Sequence, residues 1–382
     1  MIKLLHTADW HLGRVLHHQS LLADQAHVLN QIIDYAVAHQ VDAVLVAGDI
    51  YDRSMPPADA VRLLNQTINR FAELAIPLIM ISGNHDSAER LGFAATQLHK
   101  TGLHILTDIQ HVAEPVWLRK ADTALQIFGI PFADPERVRH VFNQSVTDYD
   151  AAHNLLLDQV KAARDPHFPA LLMSHCFVDG ADTSESEKNL SVGGSDRVSY
   201  EPMLAFDYVA LGHLHSPQSK GAPHIRYAGS PLKYSFSEHL HQKGVTLLSF
   251  NSAGLVAQAH LPLQPLREMR VLEGTLNVLL AQGQQDPQRD DYIMVRLTDT
   301  TALLDPMGRL REVYPNVLHL EKRLLQTEPL AQANPNHIKL DAAQLVRDFY
   351  AQIQGEPLTD AQSDIINATL TKLSQPNQDN SL

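Results

Sequence analysis

Short apolar runs alternate with amphipathic stretches through the first hundred residues. Residues 2 to 7, 43 to 47 and 77 to 82 read as strands, continuously apolar rather than alternating, as fully buried strands are. Between the first two, residues 19 to 39 place Leu22, Ala26, Leu29, Ile33 and Val37 on one side at helical spacing. Pro56-Pro57 opens a second predicted helix, about 58 to 74, and a third is predicted over 87 to 100. Strand and helix in this alternation predict a layered α/β sheet.

Beyond Gly102 the pattern becomes richer in strands, at 103 to 106, 112 to 118 and 124 to 130. A helix over 149 to 163 and a strand over 170 to 174, ending at His175, follow. Residues 179 to 197 are polar and rich in Gly and Ser, and a loop of that length is usually functional or mobile. Strands at 207 to 211, 224 to 229 and 244 to 250 complete a first domain, 1 to 264. Pro262 and Pro265 mark a boundary. A small α/β unit is predicted over 265 to 335, with strands at 266 to 273, 291 to 298 and 317 to 321 and helices near 275 to 282 and 307 to 314. Residues 336 to 373 read as two amphipathic helices, the first carrying Leu340, Leu345, Phe349 and Ile353, the second over 359 to 373 with Ile365, Ile366 and Leu370. Residues 374 to 382 read as a disordered tail.

Composition narrows the setting. The chain has 382 residues, enough for two or three domains, and 44% are hydrophobic, enough for a sizeable core. No apolar run approaches the ~20 residues of a membrane span, and the N-terminus lacks a signal peptide's apolar centre, so cytoplasmic residence is expected. The single cysteine, Cys176, excludes an internal disulfide and is expected to be a buried thiol. The net charge of -13 would require a nucleic-acid enzyme to concentrate positive charge locally, bind metal ions or borrow basic surface from a partner.

The candidate chemistry lies where the strands end. Asp9 and His11 follow the first strand, Gly48-Asp49 the second, Asn84 and His85 the third, and His175, His213 and His215 later ones. Carboxyl ends of strands are where α/β sheets bind ligands. In Asp9-x-His11 and His213-x-His215, residues two apart in an extended segment would point the same way. Asp9, His11, Asp49, Asn84, His175, His213 and His215 offer oxygen and imidazole donors without thiolate, which favours manganese or magnesium over a structural zinc. Two such ions ~3.5–4 Å apart can clamp the attacking and leaving oxygens of a phosphodiester, and Asp49 is the candidate for a shared carboxylate. Each motif alone is common; their joint occurrence in this order, each after a strand-like run, is not.

The series Asp9-Trp10-His11, Gly48-Asp49, Gly83-Asn84-His85-Asp86, Ser174-His175 and Gly212-His213-Leu214-His215 resembles the calcineurin-like metallophosphoesterases. The stretches Thr7 to Gly13 and Gly229 to Glu238, with the order of domains, resemble the double-strand-break repair nucleases within them, over nearly the whole chain. The resemblance implies a β-sandwich flanked by helices, with a small α/β capping domain and C-terminal helices. It implies one metal held by Asp9, His11, Asp49 and His215, and a second by Asp49, Asn84, His175 and His213. His85 would face the scissile phosphate, stabilising the transition state or protonating the leaving oxygen, and Asp86 would orient it or cap the following helix.

The same resemblance implies 3′ to 5′ degradation of double-stranded DNA ends and nicking of single strands and hairpins, in DNA repair, recombination and replication. It implies a nucleoid-associated bacterial setting, an ATPase partner with a long coiled coil that docks the C-terminal helices, and a homodimer paired through helices near 58 to 74 and 88 to 100. Some relatives carry a histidine where this chain has Asp52, so a second catalytic imidazole is not expected. Arg14, Arg53, Lys188, Arg197, Lys233 and Tyr234 are candidate substrate contacts. The competing enzymatic reading is a small-molecule phosphodiesterase or protein phosphatase on the same fold. A non-catalytic scaffold would be expected to lack a ligand, and none is missing.

Overall fold

The computed structural model describes residues 1–187, 196–300, 303–322, 346–347, 350–351 and 356–373. Residues 1 to 323 and 324 to 382 form separate compact units. In the first unit two six-stranded sheets stack face to face. The first sheet runs Gly254–Pro262, Gly244–Asn251, Ile2–Thr7, Ala43–Ala47, Leu78–Ile81, Leu103–Leu106. Its last four strands are mutually parallel, whereas Gly244–Asn251 pairs antiparallel with both of its neighbours. The second sheet has a parallel centre, Thr123–Ile130, Ala170–His175, Tyr208–Gly212 and Ala222–Tyr227, with antiparallel strands Val116–Lys120 and Gln218–Lys220 at its edges.

The continuous apolar runs follow from burial on both faces. Leu4, Leu45, Ile79 and Ile81 face the second sheet's Ile127, Leu171, Met173 and Ala210. Their neighbours Leu5, Val44, Val46, Leu78 and Met80 pack instead among Val28, Ile32, Leu64 and Phe71 of helices Leu22–Ala38 and Ala58–Glu73. Helix Tyr149–Ala163 covers the far face of the second sheet through Leu156, Leu157 and Val160. A period of two on a strand thus yields an unbroken hydrophobic segment, because neither face meets water.

Three expectations change. The helix predicted over 87 to 100 is two short pieces, Ala88–Leu91 and Ala95–Leu98. Gly92 ends the first; a Cβ there would lie 2.5 Å from Thr107 Oγ1, and Ala94 has a left-handed φ of 60°. The strand expected over 112 to 118 begins instead at Val116, after a 3-10 turn at Ile109–His111. Strand Gly254–Pro262 and helix Pro135–Phe142 were not signalled. The strand is an edge with mostly exposed side chains, so it lacks a strong apolar pattern.

After Pro265 comes a parallel three-stranded sheet, Met269–Gly274, Tyr292–Leu297 and Val317–Lys322, with helices Leu276–Gly283 and Pro306–Val313. It has its own core around Leu279, Val295, Leu310 and Tyr314. It is tied to the sandwich by Arg267 Nη1 and Tyr292 Oη, which both donate to Asp24 Oδ2 at 2.8 and 2.9 Å. Lys233 Nζ adds a 2.7 Å pair with Glu268 Oε1. In the second unit, helix Asp360–Leu373 is present where the second C-terminal helix is expected. Leu340, Leu345, Phe349, Ile353 and residues 374 to 382 lie outside the described residues.

Candidate metal centre

All seven candidate ligands converge at the carboxyl ends of the parallel strands, where the two sheets meet. His175 Nδ1 donates to the carbonyl of Ala47 at 2.8 Å, and the His213 amide donates to Asp9 Oδ1 at 3.0 Å, so each bond spans both sheets. Three groups have ligand atoms within 4.8 Å of one another: Asp9, His11 and His215; Asp9, Asp49 and His175; and His11, Asp52 and His85. Asp49 Oδ2 is 3.5 Å from His11 Nε2 and 3.6 Å from His175 Nε2, and Asp9 is common to the groups that hold these two histidines with His215 and Asp49. Asn84 Oδ1 is 3.0 Å from His175 Nε2 and 2.9 Å from His213 Nδ1.

Left-handed backbone brings them together. Asp9, His11, Asp49 and His213 have φ of 54°, 44°, 49° and 106°, so they are not paired by an extended segment, as the sequence spacing suggests. Such conformations cost about 1–3 kcal/mol each and persist where the surroundings enforce them. Here the enforcement includes amide bonds from Asp9 to the Gly48 carbonyl at 3.0 Å and from His11 to the Asp49 carbonyl at 2.9 Å. Close approach requires the glycines before two of the site residues. A Cβ on Gly83 would lie 2.1 Å from Asp49 Oδ1, and one on Gly48 2.2 Å from His175 Nδ1.

The donors fit divalent cations. Because His175 gives its Nδ1 proton to Ala47, its Nε2 presents a lone pair to the oxygens of Asn84 and Asp49. Lone pairs facing one another across 3.0 Å in a buried site need a positive charge between them. Burial pushes His11 well below the usual imidazole range and His213 down to about 3, keeping both rings neutral and able to ligate. Burial and the Asp49 charge raise the Asp9 carboxyl well above its usual value. Burial acts the same way on Asp49, but the His175 and His85 imidazoles and the His85 amide hold it below the usual carboxylate range.

The remaining candidates separate. His85 is buried, its ring 4.6 Å from that of His11 in a T-shaped contact, and its amide donates to Asp49 Oδ1 at 2.8 Å. Its Nδ1 donates to the main-chain oxygen of Asp52 at 2.7 Å. Asp86 neither orients this ring nor caps the helix. It accepts the amides of Ile50, Tyr51 and Gly83 at 3.1, 2.9 and 2.9 Å, tying the Asp49 and Asn84 loops together, and the N-cap is Ser87. Burial and the Asp49 charge push the Asp86 carboxyl up to about 7.

Arg14 bonds Asp52 Oδ1 at 2.8 Å and lies over the Tyr234 ring. Arg53 is 69% exposed beside Asp52. Arg197 pairs with Asp179 and lies over Phe177. Lys233 and Tyr234 turn inward instead of offering free polar groups to a substrate. Lys233 is held by Glu268 and the His239 carbonyl; Tyr234 gives its hydroxyl proton to the Trp10 carbonyl and walls His11 and His215 with its ring. Lys188 lies outside the described residues. Cys176 is buried, and burial raises its thiol to about 12.

Sequence reading missed the Asp52 carbonyl, Gln25 and Ser186. Gln25 Nε2 donates to the carbonyls of Trp10 and His11 at 3.0 and 2.7 Å, and Ser186 Oγ lies 2.5 Å from His215 Nδ1. Only Ser186 carried a signal, by lying in the long polar loop.

Comparison with known proteins agrees with this geometry. Residues 2–217 match the calcineurin-like phosphoesterase family, and residues 265–354 match the family described as type 5 capsule protein repressor C-terminal domain. The chain is 35% identical to the SbcD subunits of the nuclease SbcCD from Staphylococcus epidermidis and Staphylococcus saprophyticus, in each case over 97% of this chain and 98% of the relative. A dimetal phosphatase structure from Danio rerio, 12% identical, overlays with a TM-score of 0.43 across 69% of this chain and 99% of that one. With a buried cluster of Asp and His side chains suited to divalent metal and with relatives matched along almost its entire length, the chain belongs to the SbcD family of calcineurin-like phosphoesterases.

Proposed function

We propose that this chain is a two-metal DNA nuclease subunit, a 3′ to 5′ double-strand exonuclease and single-strand and hairpin endonuclease. It acts with an SbcC-type ATPase in repair, recombination and replication. The observation that carries it is the convergence of Asp9, His11, Asp49, Asn84, His175, His213 and His215 in a chain matched over 97% of its length to SbcD subunits of the nuclease SbcCD. Asp9, His11, Asp49 and His215 would hold one ion, and Asp49, Asn84, His175 and His213 the other, with manganese favoured by the oxygen and imidazole donors. Bound there, two divalent cations supply Lewis acidity to the phosphodiester and its attacking water.

The chain's own groups do the rest. His85 is anchored through Nδ1 to the Asp52 carbonyl, so the doubly protonated ring would hold its transferable proton on Nε2, toward the leaving oxygen. Arg14 sits at the rim with its charge shared with Asp52, and exposed Arg53 is the better placed of the two for a phosphate. The deficit of basic surface implied by the net charge of -13 is met by the ions and by the ATPase partner. Two copies pair through the region around Met55 and Phe93, which are 71% and 81% exposed.

The test is end-labelled duplex and hairpin DNA with manganese, with and without the ATPase, beside a small nucleotide phosphodiester. Cleavage confined to the small substrate rejects the nuclease reading. Light scattering at micromolar concentration tests the dimer, and a monomer rejects it.

A further inference from the structure

His215 is held at every polar atom. Its Nε2 faces His11 Nε2 at 3.1 Å, inside the ligand cluster. Its amide donates to Glu187 Oε1 at 2.7 Å, and its carbonyl accepts from Lys243 Nζ at 2.7 Å and from the Ser230 amide at 3.2 Å. Its Nδ1 points away from the cluster to Ser186 Oγ at 2.5 Å. Ser186 Oγ in turn touches Glu238 Oε1, and Glu238 Oε2 pairs with Lys243 Nζ at 2.5 Å. Ser186, Glu238 and Lys243 are all buried, Glu238 completely.

Counting protons fixes the direction of this chain of bonds. The serine hydroxyl has one proton and three neighbours that can accept it, the imidazole, the carboxylate and the Ser184 hydroxyl at 2.9 Å, which can itself donate instead. A carboxylate paired with an ammonium has no proton to give and is the strongest acceptor of the three. The hydroxyl therefore donates to Glu238 and accepts from His215 Nδ1–H. The Nε2 lone pair is left facing the cluster. We infer that Ser186, Glu238 and Lys243 form a positioning relay that fixes the tautomer and ring direction of His215 toward a divalent cation. The inference rests on the reading of His215 as a ligand.

A carboxylate that accepts the outer proton of a ligating imidazole is a common support for metal sites. Here a hydroxyl is inserted between the two, and it comes from the long polar loop. The buried Glu238–Lys243 pair is weak evidence for stability by itself, since desolvation offsets much of its attraction. Its placement matters more: Lys243 binds the backbone of His215 and Glu238 reaches the ring through Ser186, so both ends of one ligand are held by one ion pair.

The experiment is a manganese titration of the full chain by calorimetry, with the metal-free melting temperature measured alongside, for wild type, Ser186→Ala, Ser186→Thr and His215→Ala. Ser186→Ala is expected to weaken one of the two ions by roughly 10–100-fold. The other ion and the metal-free melting temperature should be unchanged, and Ser186→Thr should restore binding. If His215→Ala loses one ion while Ser186→Ala binds both as wild type does, the relay is wrong and the ligand stands. Equal weakening of both ions with a lowered metal-free melting temperature makes Ser186 a structural anchor and also overturns the relay. If His215→Ala binds both ions normally, the ligand assignment itself falls.

Discussion

His85 Nδ1 lies 2.7 Å from the main-chain oxygen of Asp52, so the ring of the candidate acid is oriented by backbone and not by a carboxylate. A neutral acceptor at Nδ1 steadies the ring without removing its proton, which suits a group that must give a proton away from Nε2. His85→Gln is expected to retain both metal ions and DNA binding while losing turnover by about 10²–10⁴-fold, the usual contribution of a positioned acid. Calorimetry for the metals and single-turnover cleavage for the chemistry check this. Loss of an ion in His85→Gln would make His85 a ligand instead.

Asp49 Oδ2 lies 3.5 Å from His11 and 3.6 Å from His175, beside the buried Asp9 carboxyl. Asp49→Asn keeps an oxygen to accept the His85 amide and tolerates the left-handed φ of 49°, but it removes the charge shared by the ions. The stabilisation that wild type gains from manganese should disappear, along with activity. A melting temperature that still climbs with manganese as in wild type would show that Asp49 does not bridge.

Two buried histidines outside the cluster make the fold acid-sensitive. Burial pushes His6 down to about 3 and His153 down to about 4; His6 contacts the Tyr208 hydroxyl and His153 the Ser174 hydroxyl. The unfolded chain protonates near 6.5, so below that pH it takes up protons that the folded chain does not. Stability is therefore full above about pH 6.5 and falls as pH drops toward 4, by about 2–3 kcal/mol per histidine at pH 4.5. Urea denaturation in chelator at pH 7.5, 5.5 and 4.5 measures the slope. His153→Gln should flatten it, and an unchanged slope would exclude His153 as a source.

The C-terminal segment is the proposed docking element for the ATPase. Helix Asp360–Leu373 carries Ile365 at 67% exposure, an apolar side chain suited to a groove on another chain. Deleting residues 340 to 382 is expected to leave metal binding and basal nicking of single strands intact. It should abolish co-purification with the ATPase and ATP-stimulated cleavage of duplex ends. A truncated chain that still captures the ATPase at full strength would remove docking from this segment.

Local sequence determined most of the sheets and the identity of the clustered side chains. Residues 43 to 47 and 78 to 81 are apolar at every position because both faces are covered, and that pattern is visible without a structure. Asp9, Asp49, Asn84, His175 and His213 stand at or just past strand ends, where a buried strand must meet a ligand or solvent. Tertiary structure decided how they meet. The left-handed turns at Asp9, His11, Asp49 and His213, the Asp52 carbonyl at His85, and the inward turn of Lys233 and Tyr234 leave no local trace. His11 and His215 are 204 positions apart and His215 and Ser186 are 29 apart, so their contacts exist only once two sheets and a long loop have closed on each other. Hydrophobic period records which residues leave water; it carries no information about which distant polar atom each buried donor will find.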